Sequence, residues 1–278
     1  MTSMGRRAGA GRLRLTKHEG AGNDFLVLVD GDDAVHLTDG QVRVLCDRHR
    51  GVGADGFIRV RPGTDADVVM ELVNADGSRA EMSGNGIRCL AQAAVAAGLV
   101  VPPNFTVATD AGLRTVELRP GEGPGEAWAG VGMGAPVLGE EVPSPLPGTR
   151  GRRVDVGNPH LVLLGSGASE AQVAVVGPRI ERAHAGGVNV EFVVPGDRPD
   201  ELVLRVWERG AGETRACGTG SVAAAAAARA WGLVGDRVLV HNPGGPLEVL
   251  LGPDGSEATL SGPVRRVADV EVDVAVLR

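Results

Sequence analysis

The chain has 278 residues, with 28 basic and 35 acidic side chains, a net charge of −7 and a sequence pI of about 5.4. This acidic excess argues against nucleic acid or an anionic membrane as a partner. No apolar run approaches the roughly 18 residues of a membrane span, and the basic N-terminus lacks the apolar stretch of a secretory signal. We therefore expect a cytoplasmic globular protein of one large or two modest domains, with a loose tail over about the first ten residues.

Cysteine and lysine usage limits the cofactors that the chain can use. Cys46, Cys89 and Cys217 are too widely spaced for a disulfide framework or for a zinc site, so no metal is expected. Cys46 and Cys89 are predicted to be packing residues. Lys17 is the only lysine, and a pyridoxal phosphate enzyme needs a Schiff-base lysine, so we expect that the chain does not use pyridoxal phosphate.

Strands and helices are predicted in a repeating order along the chain. FLVLVD and DVVMELVN are rich in β-branched residues and predict strands. A helix follows, with an apolar face at helical spacing over residues 87–95 and with Gly98 at its end. The glycine-rich segment GEGPGEAWAGVGMGAP predicts a domain junction. After it, RRVDV, HLVLLG and ELVLRVWE predict strands, and an alanine-rich run over 218–231, ended by Gly232, predicts a central, buried helix.

The sequence contains an internal repeat with a period of about 134 residues. GNDFLVL near residue 25 is matched by GNPHLVL near residue 160, and SGNG is matched by CGTG. The separations agree as well. Asn23 lies 60 residues before Ser83, and Asn158 lies 59 before Cys217, while Asn74 and Glu208 each lie nine residues before the serine or cysteine of their half. The repeat predicts two domains of like topology. The landmarks, in order, are Asn23 and Asn158, Asn74 and Glu208, and Ser83 and Cys217.

The two helix starts carry the chemistry that the repeat predicts. Ser83 and Cys217 each precede a Gly-x-Gly that opens a helix, where free N–H groups and the positive end of the macrodipole favour an anion. We expect the thiolate of Cys217 to be stabilised there, which makes it a base at neutral pH. Two such starts facing each other would hold one carboxylate and move a proton on either side of the adjacent carbon. This pattern indicates inversion of an amino-acid α-centre without a cofactor.

The chain resembles the diaminopimelate epimerases from Lys17 to its last strands, in GAGNDF, DRHRGVGADG, NADGS, SGNGIRC, VGNPH, GGVNVEF, ERGAGETRACGTG and NPGG. The resemblance implies an α/β (α+β) fold of two pseudo-symmetric domains, each a mostly antiparallel sheet wrapped around a central helix. It also implies a cytoplasmic, PLP-independent homodimer that converts LL- to meso-diaminopimelate for lysine and peptidoglycan synthesis. The expected domains are 12–130, to which 264–278 returns, and 131–263.

The resemblance also implies site residues. Cys217 resembles one of two acid/base residues, and Ser83 stands where the family has the other, a cysteine in CGNG. His160 and Glu208 resemble the pair that supports them. The positions that resemble substrate contacts, with Glu208, are Asn23, Asn74, Gly84, Asn85, Asn158, Asn189, Arg209, Gly218 and Thr219.

The serine leaves several hypotheses open, because a hydroxyl is a far weaker acid than a thiol and serine is also a favoured helix N-cap. Ser83 acts as a weaker acid or positions a water in a working epimerase or a related racemase, or it marks a paralogue with altered chemistry, or it was engineered to trap the site. Two rival functions are a cysteine hydrolase using Cys217 and His160, and a non-catalytic amino-acid-binding protein.

Overall fold

The computed structural model describes residues 11–165 and 170–277. The tail predicted over the first ten residues lies outside this range. The N-terminal half contains β1 (Arg12–Gly20), β2 (Asn23–Val29), α1 (Asp39–Cys46), β3 (Gly56–Pro62), β4 (Val68–Asn74), β5 (Arg79–Ala80), α2 (Gly84–Ala96), β6 (Asn104–Thr109), β7 (Gly112–Pro120) and β8 (Glu126–Gly134).

Strand β9 (Val137–Val142) connects this half to the next. The C-terminal half contains β10 (Arg150–Asp155), β11 (Pro159–Leu164), α3 (Glu170–Ala183), β12 (Asn189–Pro195), β13 (Glu201–Glu208), β14 (Gly212–Thr214), α4 (Gly218–Ala230), β15 (Arg237–Asn242), β16 (Gly245–Leu251) and β17 (Ala258–Asp273). Single 3₁₀ turns follow β16, at Pro253–Gly255, and β17, at Val274–Leu277.

The two halves have the same topology, as the internal repeat predicts. In each, an antiparallel strand pair is followed by a parallel pair, β2 with β3 and β11 with β12. A second parallel pair flanks the second helix of each half, β4 with β6 around α2 and β13 with β15 around α4. All other pairings are antiparallel. The predicted fold class of two pseudo-symmetric halves with mostly antiparallel sheets is therefore confirmed.

Each half is built around one buried helix. The predicted helices are α2 and α4, and Gly98 and Gly232 follow them with φ of 72° and 74°, which is the left-handed conformation that stops a helix. Residues on every side of α4 are buried, because its run of alanines lets the surrounding strands approach closely. Both helices share one hydrophobic core with the strands around them.

Two strands join the halves. The glycine-rich segment 121–136 is mostly in β8 and is not an open loop, because Ala127, Ala129, Val131 and Met133, at alternate positions of the strand, are buried. The first part of strand β17 pairs with β16 and β8, and its last part pairs with β1, so Asp273 lies opposite Arg12. The domain boundaries at 130 and 263 stay a prediction. No helix within the described ranges is long and apolar enough to cross a bilayer.

Candidate active site

Ser83 and Cys217 are the N-caps of α2 and α4. Their backbones match closely, with φ/ψ of −137°/123° at Ser83 and −124°/117° at Cys217. The Ser83 hydroxyl accepts a hydrogen bond from the Gly86 N–H at 3.0 Å, and the Cys217 sulfur accepts one from the Gly220 N–H at 3.3 Å. The N-cap prediction for Ser83 is confirmed. The two residues therefore hold equivalent places in the repeat, and only the side-chain atom differs.

The two helix starts meet at a pair of glycines. A Cβ built on Gly218 would lie 3.4 Å from the Gly84 Cα, and one built on Gly84 would lie 3.6 Å from the Gly218 Cα. Leu260 fills the adjacent space, 2.8 Å from the Cβ position of Gly218. The first-turn amides at both starts, which no helical carbonyl accepts, are thus brought to one place. Positive dipole ends brought together in this way favour a bound anion.

A chain of polar side chains supports the N-terminal start. The Arg88 guanidinium is fully buried and donates to the Asn85 Oδ1 at 2.8 Å, and the Asn85 amide donates to Asn23. The Asn23 amide then donates to the Asp55 carboxylate at 3.1 Å. A guanidinium only donates and a carboxylate only accepts, so the two ends fix the orientation of both asparagines. Asn85 also reaches the Ala216 carbonyl of the other half at 3.5 Å.

The C-terminal start is supported by a buried carboxylate–imidazole pair. His160 contacts Glu191 through Nδ1 at 2.6 Å and Asn158 through Nε2 at 2.8 Å. The Asn158 amide reaches the Thr219 hydroxyl at 3.4 Å, and Thr219 lies 3.5 Å from the Cys217 sulfur. Among the described residues, Glu191 Oε2 has no hydrogen-bond partner although the side chain is fully buried.

The electrostatics at Cys217 overturn one expectation. Burial raises the pKa of the Cys217 thiol well above 9.0, and the carboxylates of Glu208 and Glu191 raise it further. The Gly220 N–H and the Thr219 hydroxyl lower this pKa, but they do not outweigh the other effects. The stabilised thiolate predicted from the helix start is therefore wrong for the ligand-free site. The carboxylates come from strands β12 and β13, so the helix start alone does not determine the charge state of the sulfur.

Glu208 is the carboxylate that faces the thiol. Burial raises its pKa, and hydrogen bonds from Thr214 and Cys217 lower it without cancelling that effect. The side chain is half-buried, which leaves it a route to solvent. His160, which the resemblance assigns with Glu208 to the support of the catalytic residues, contacts Glu191 and Asn158. A thiol beside a half-buried carboxylate can exchange a proton with it and, through it, with water.

Three of the residues predicted from the resemblance lie at the edge of this cluster. Asn74, at the end of β4, contacts Ser78 at 3.0 Å. Asn189 is buried and accepts a hydrogen bond from the Arg209 backbone N–H at 2.9 Å, while the exposed Arg209 guanidinium reaches the Gly186 carbonyl at 3.4 Å. These three side chains make no hydrogen bond to Ser83 or Cys217 in the part of the chain that the structure describes.

Glu191 is the residue of the cluster that the sequence analysis missed. It lies inside VNVEFVV, which has the composition of a buried apolar strand, and a single carboxylate there gives no sign of its partner. The repeat contained the signal, because Glu191 takes the place of Ile58 in the first half. Cys46 and Cys89 are buried, as predicted for packing residues.

The fold defines a class of protein that includes known epimerases. A hydroxyproline epimerase from Agrobacterium vitis has a TM-score of 0.69 and 18% identity, over 96% of this chain and 94% of that chain. A predicted epimerase from Pseudomonas aeruginosa has a TM-score of 0.71 and 18% identity, over 94% and 99%. At these identities the likeness shows the fold alone.

The sequence defines the family. The sequence model of the protein family described as diaminopimelate epimerase matches residues 15–138 and 152–267 of this chain. The diaminopimelate epimerase of a Cyanothece species is 38% identical over 92% of this chain and 98% of its own length. That of Corynebacterium glutamicum is 40% identical over 91% and 95%. The chain belongs to the diaminopimelate epimerase family, and it is an isomerase.

Proposed function

We propose that the protein interconverts LL- and meso-diaminopimelate by proton transfer at the α-carbon, without pyridoxal phosphate. The observation that carries this is the meeting of two capped helix starts at Gly84 and Gly218, with Ser83 and Cys217 at equivalent caps. The family of the chain supplies the substrate class. The α-carboxylate lies between the helix starts, and its α-carbon lies between the hydroxyl and the sulfur.

The supporting side chains give each end of the substrate a contact. The first-turn amides of Gly84, Asn85, Gly218 and Thr219 hold the reactive carboxylate. The Glu208 carboxylate accepts a hydrogen bond from the α-ammonium group. The remaining contacts are the amides Asn23, Asn74, Asn158 and Asn189, with the Arg209 guanidinium at the exposed edge suited to the distal carboxylate.

The proton path begins at the neutral thiol. The α-ammonium of the substrate brings a positive charge next to Glu208 and Cys217, which offsets the two carboxylates and favours the thiolate. Cys217 then passes its proton to Glu208, and the sulfur removes the α-hydrogen as a proton. The electron pair stays on the substrate, where the adjacent carboxylate and the helix-start amides stabilise it. Ser83 supplies a proton from the opposite face.

The test is a conversion assay with the purified protein. LL-diaminopimelate is incubated in buffer without added cofactor, and the isomers are separated by chiral chromatography. We expect meso-diaminopimelate to form until the two isomers reach equilibrium. Activity should persist in the presence of a carbonyl-trapping reagent that inactivates pyridoxal phosphate enzymes. Binding of the substrate without conversion would contradict the proposal and favour the amino-acid-binding hypothesis.

A second prediction concerns the buried arginine. Replacing Arg88 by methionine frees the Asn85 amide to rotate, and with it Asn23. We expect KM to rise about tenfold or more, because a hydrogen bond to a charged group contributes about 1.5–3 kcal/mol. The buried Asn85 Oδ1 also loses its donor, which costs about 1–3 kcal/mol, so the melting temperature should fall while the protein stays folded at the assay temperature. A kinetic titration with a melting curve checks both, and an unchanged KM would contradict the role of Arg88.

The resemblance further suggests a cytoplasmic homodimer, which we include in the proposal. Light scattering after size exclusion would measure a mass of twice the 28.5 kDa chain. A monomeric mass at micromolar concentration would contradict the dimer without affecting the proposed reaction.

A further inference from the structure

The internal repeat makes the two half-sites directly comparable. The strand registers agree, because Phe25 pairs with Gly56 as His160 pairs with Asn189. The position beneath each helix start is equivalent too, because Ile58 lies next to Gly86 as Glu191 lies next to Gly220. A Cβ built on Gly86 would lie 3.1 Å from Ile58 Cδ1, and one built on the equivalent Gly220 would lie 2.9 Å from Glu191 Oε1.

The side chains at the equivalent positions differ sharply in chemistry. Around Cys217 stand a thiol, an imidazole and two carboxylates, which are the side-chain types that serve as acids and bases in proteins. At the matching positions around Ser83 stand a hydroxyl, an amide and two apolar groups, none of which titrates near neutral pH. The matched pairs are Cys217 and Ser83, His160 and Phe25, Glu191 and Ile58, and Glu208 and Asn74.

We propose that proton transfer is unequal at the two faces: the Cys217 face exchanges the α-hydrogen with solvent faster than the Ser83 face completes inversion. This inference rests on the proposed function. Glu191 and His160 are positioning residues of the faster face, since Glu191 contacts His160. His160 in turn contacts Asn158 and, through it, the Thr219 hydroxyl beside the sulfur. Glu191 also lies at the start of α4, since its Oε1 and the Cys217 sulfur both lie within 3.3 Å of the Cβ position of Gly220.

Every proton and the electron pair can be followed through the exchange step on the Cys217 face. The sulfur takes the α-hydrogen as a proton, so a C–H bond breaks, an S–H bond forms and the electron pair stays on the substrate. The thiol trades this proton with Glu208, and the half-buried Glu208 trades it with water. Return of a solvent-derived proton from the same sulfur regenerates the starting isomer, now carrying solvent hydrogen.

Within residues 11–165 and 170–277, the Ser83 face has no equivalent path. Its hydroxyl gives a proton to the carbanion and must take one back from water, and it must lose a proton to act in the other direction. A hydroxyl is a far weaker acid than a thiol, and Phe25 and Ile58 supply no group to accept its proton. The two charged groups of the polar chain beside this helix start, Arg88 and Asp55, contact Asn85 and Asn23, whereas the Ser83 hydroxyl accepts a hydrogen bond from the Gly86 N–H.

The experiment is exchange in D₂O, started from each isomer separately and stopped early, with mass analysis of the recovered substrate and of the product. For the isomer whose α-hydrogen faces Cys217, we expect recovered substrate to gain deuterium at least tenfold faster than product forms. The other isomer should give deuterated product with little deuterium in recovered substrate. Recovered substrate free of deuterium from both isomers, with product forming, would overturn the inference and leave the proposed function intact; no exchange and no product would overturn the function.

Variants separate the faces. Ser83→Cys should raise epimerisation by about 10²-fold, within the range that a positioned acid or base supplies, and bring the ratio of exchange to epimerisation near one. Glu191→Gln keeps an acceptor for His160 and should retain more exchange than Glu191→Ile, which copies the other half. Ile58→Leu is the matched control in the first half and should leave the ratio unchanged. The same ratio of exchange to epimerisation in the parent, in Glu191→Gln and in Glu191→Ile would contradict the positioning role of Glu191, because a merely structural loss would lower both rates together.

Discussion

Cys217→Ser is expected to lower the rate of epimerisation by about 10³-fold or more, with loss of deuterium exchange at the α-carbon from either isomer. The variant has a hydroxyl at both helix starts and no thiol in the site. Serine is a favoured N-cap, so the Gly220 N–H keeps an acceptor and α4 keeps its start. The loss therefore reports the chemistry of the sulfur and not the stability of the helix.

The control for this variant is another cysteine replaced in the same way. Cys46 lies at the end of α1, in a hydrophobic cluster separate from the one around α2 and α4, so Cys46→Ser should leave the rate within a few-fold. Both variants are assayed by chiral chromatography and checked for folding by melting curves. A rate of epimerisation by Cys217→Ser within tenfold of the parent rate would contradict the assignment of Cys217 as an acid/base residue.

Glu208→Gln is expected to change two properties of the site in opposite directions. Epimerisation should fall by about 10²-fold or more, because the thiol loses the carboxylate that accepts its proton. Alkylation of Cys217 in the ligand-free protein should become faster at a given pH. The negative charge of Glu208 raises the pKa of Cys217, so its removal lowers that pKa and enlarges the thiolate fraction that reacts with iodoacetamide.

The alkylation measurement also tests the charge state of the parent protein. With a pKa well above 9.0, Cys217 should react with iodoacetamide at pH 8 more slowly than free cysteine, and its rate should still rise above pH 9. Peptide mapping separates Cys217 from Cys46 and Cys89, whose burial raises their pKa values to about 12. Glu201→Gln, at the other end of β13, is the matched control. Slower alkylation in Glu208→Gln would contradict the electrostatic account.

Local sequence determines much of this fold and little of its electrostatics. The starts and ends of α2 and α4 could be predicted because capping residues and glycines act on the nearest turn of backbone. The strands could be predicted for the same reason, from β-branched runs such as HLVLLG. The repeat added the topology, since two segments with the same landmarks at the same spacing fold in the same way.

The rest of the site depends on contacts between distant segments. Glu191 and Glu208 come from different strands, and both lie beside Cys217 only after β12 and β13 pair. Their combined charge decides the state of the thiol, so a prediction from the helix start alone has the wrong sign. Arg88 was likewise inconspicuous in SGNGIRC, and its contact with Asn85 becomes visible only once both side chains are placed on the first turns of α2.

Strand β17 has a consequence for biosynthesis of the chain. Its last residues form the partner strand of β1, with Asp273 opposite Arg12, so β1 gains a neighbour from a segment that is translated long after it. The N-terminal half therefore leaves the ribosome before this neighbour exists, and it completes its hydrogen bonding only after β17 has emerged. A nascent protein stalled before residue 258 would expose β1 and β8 as open edges for aggregation or chaperone binding.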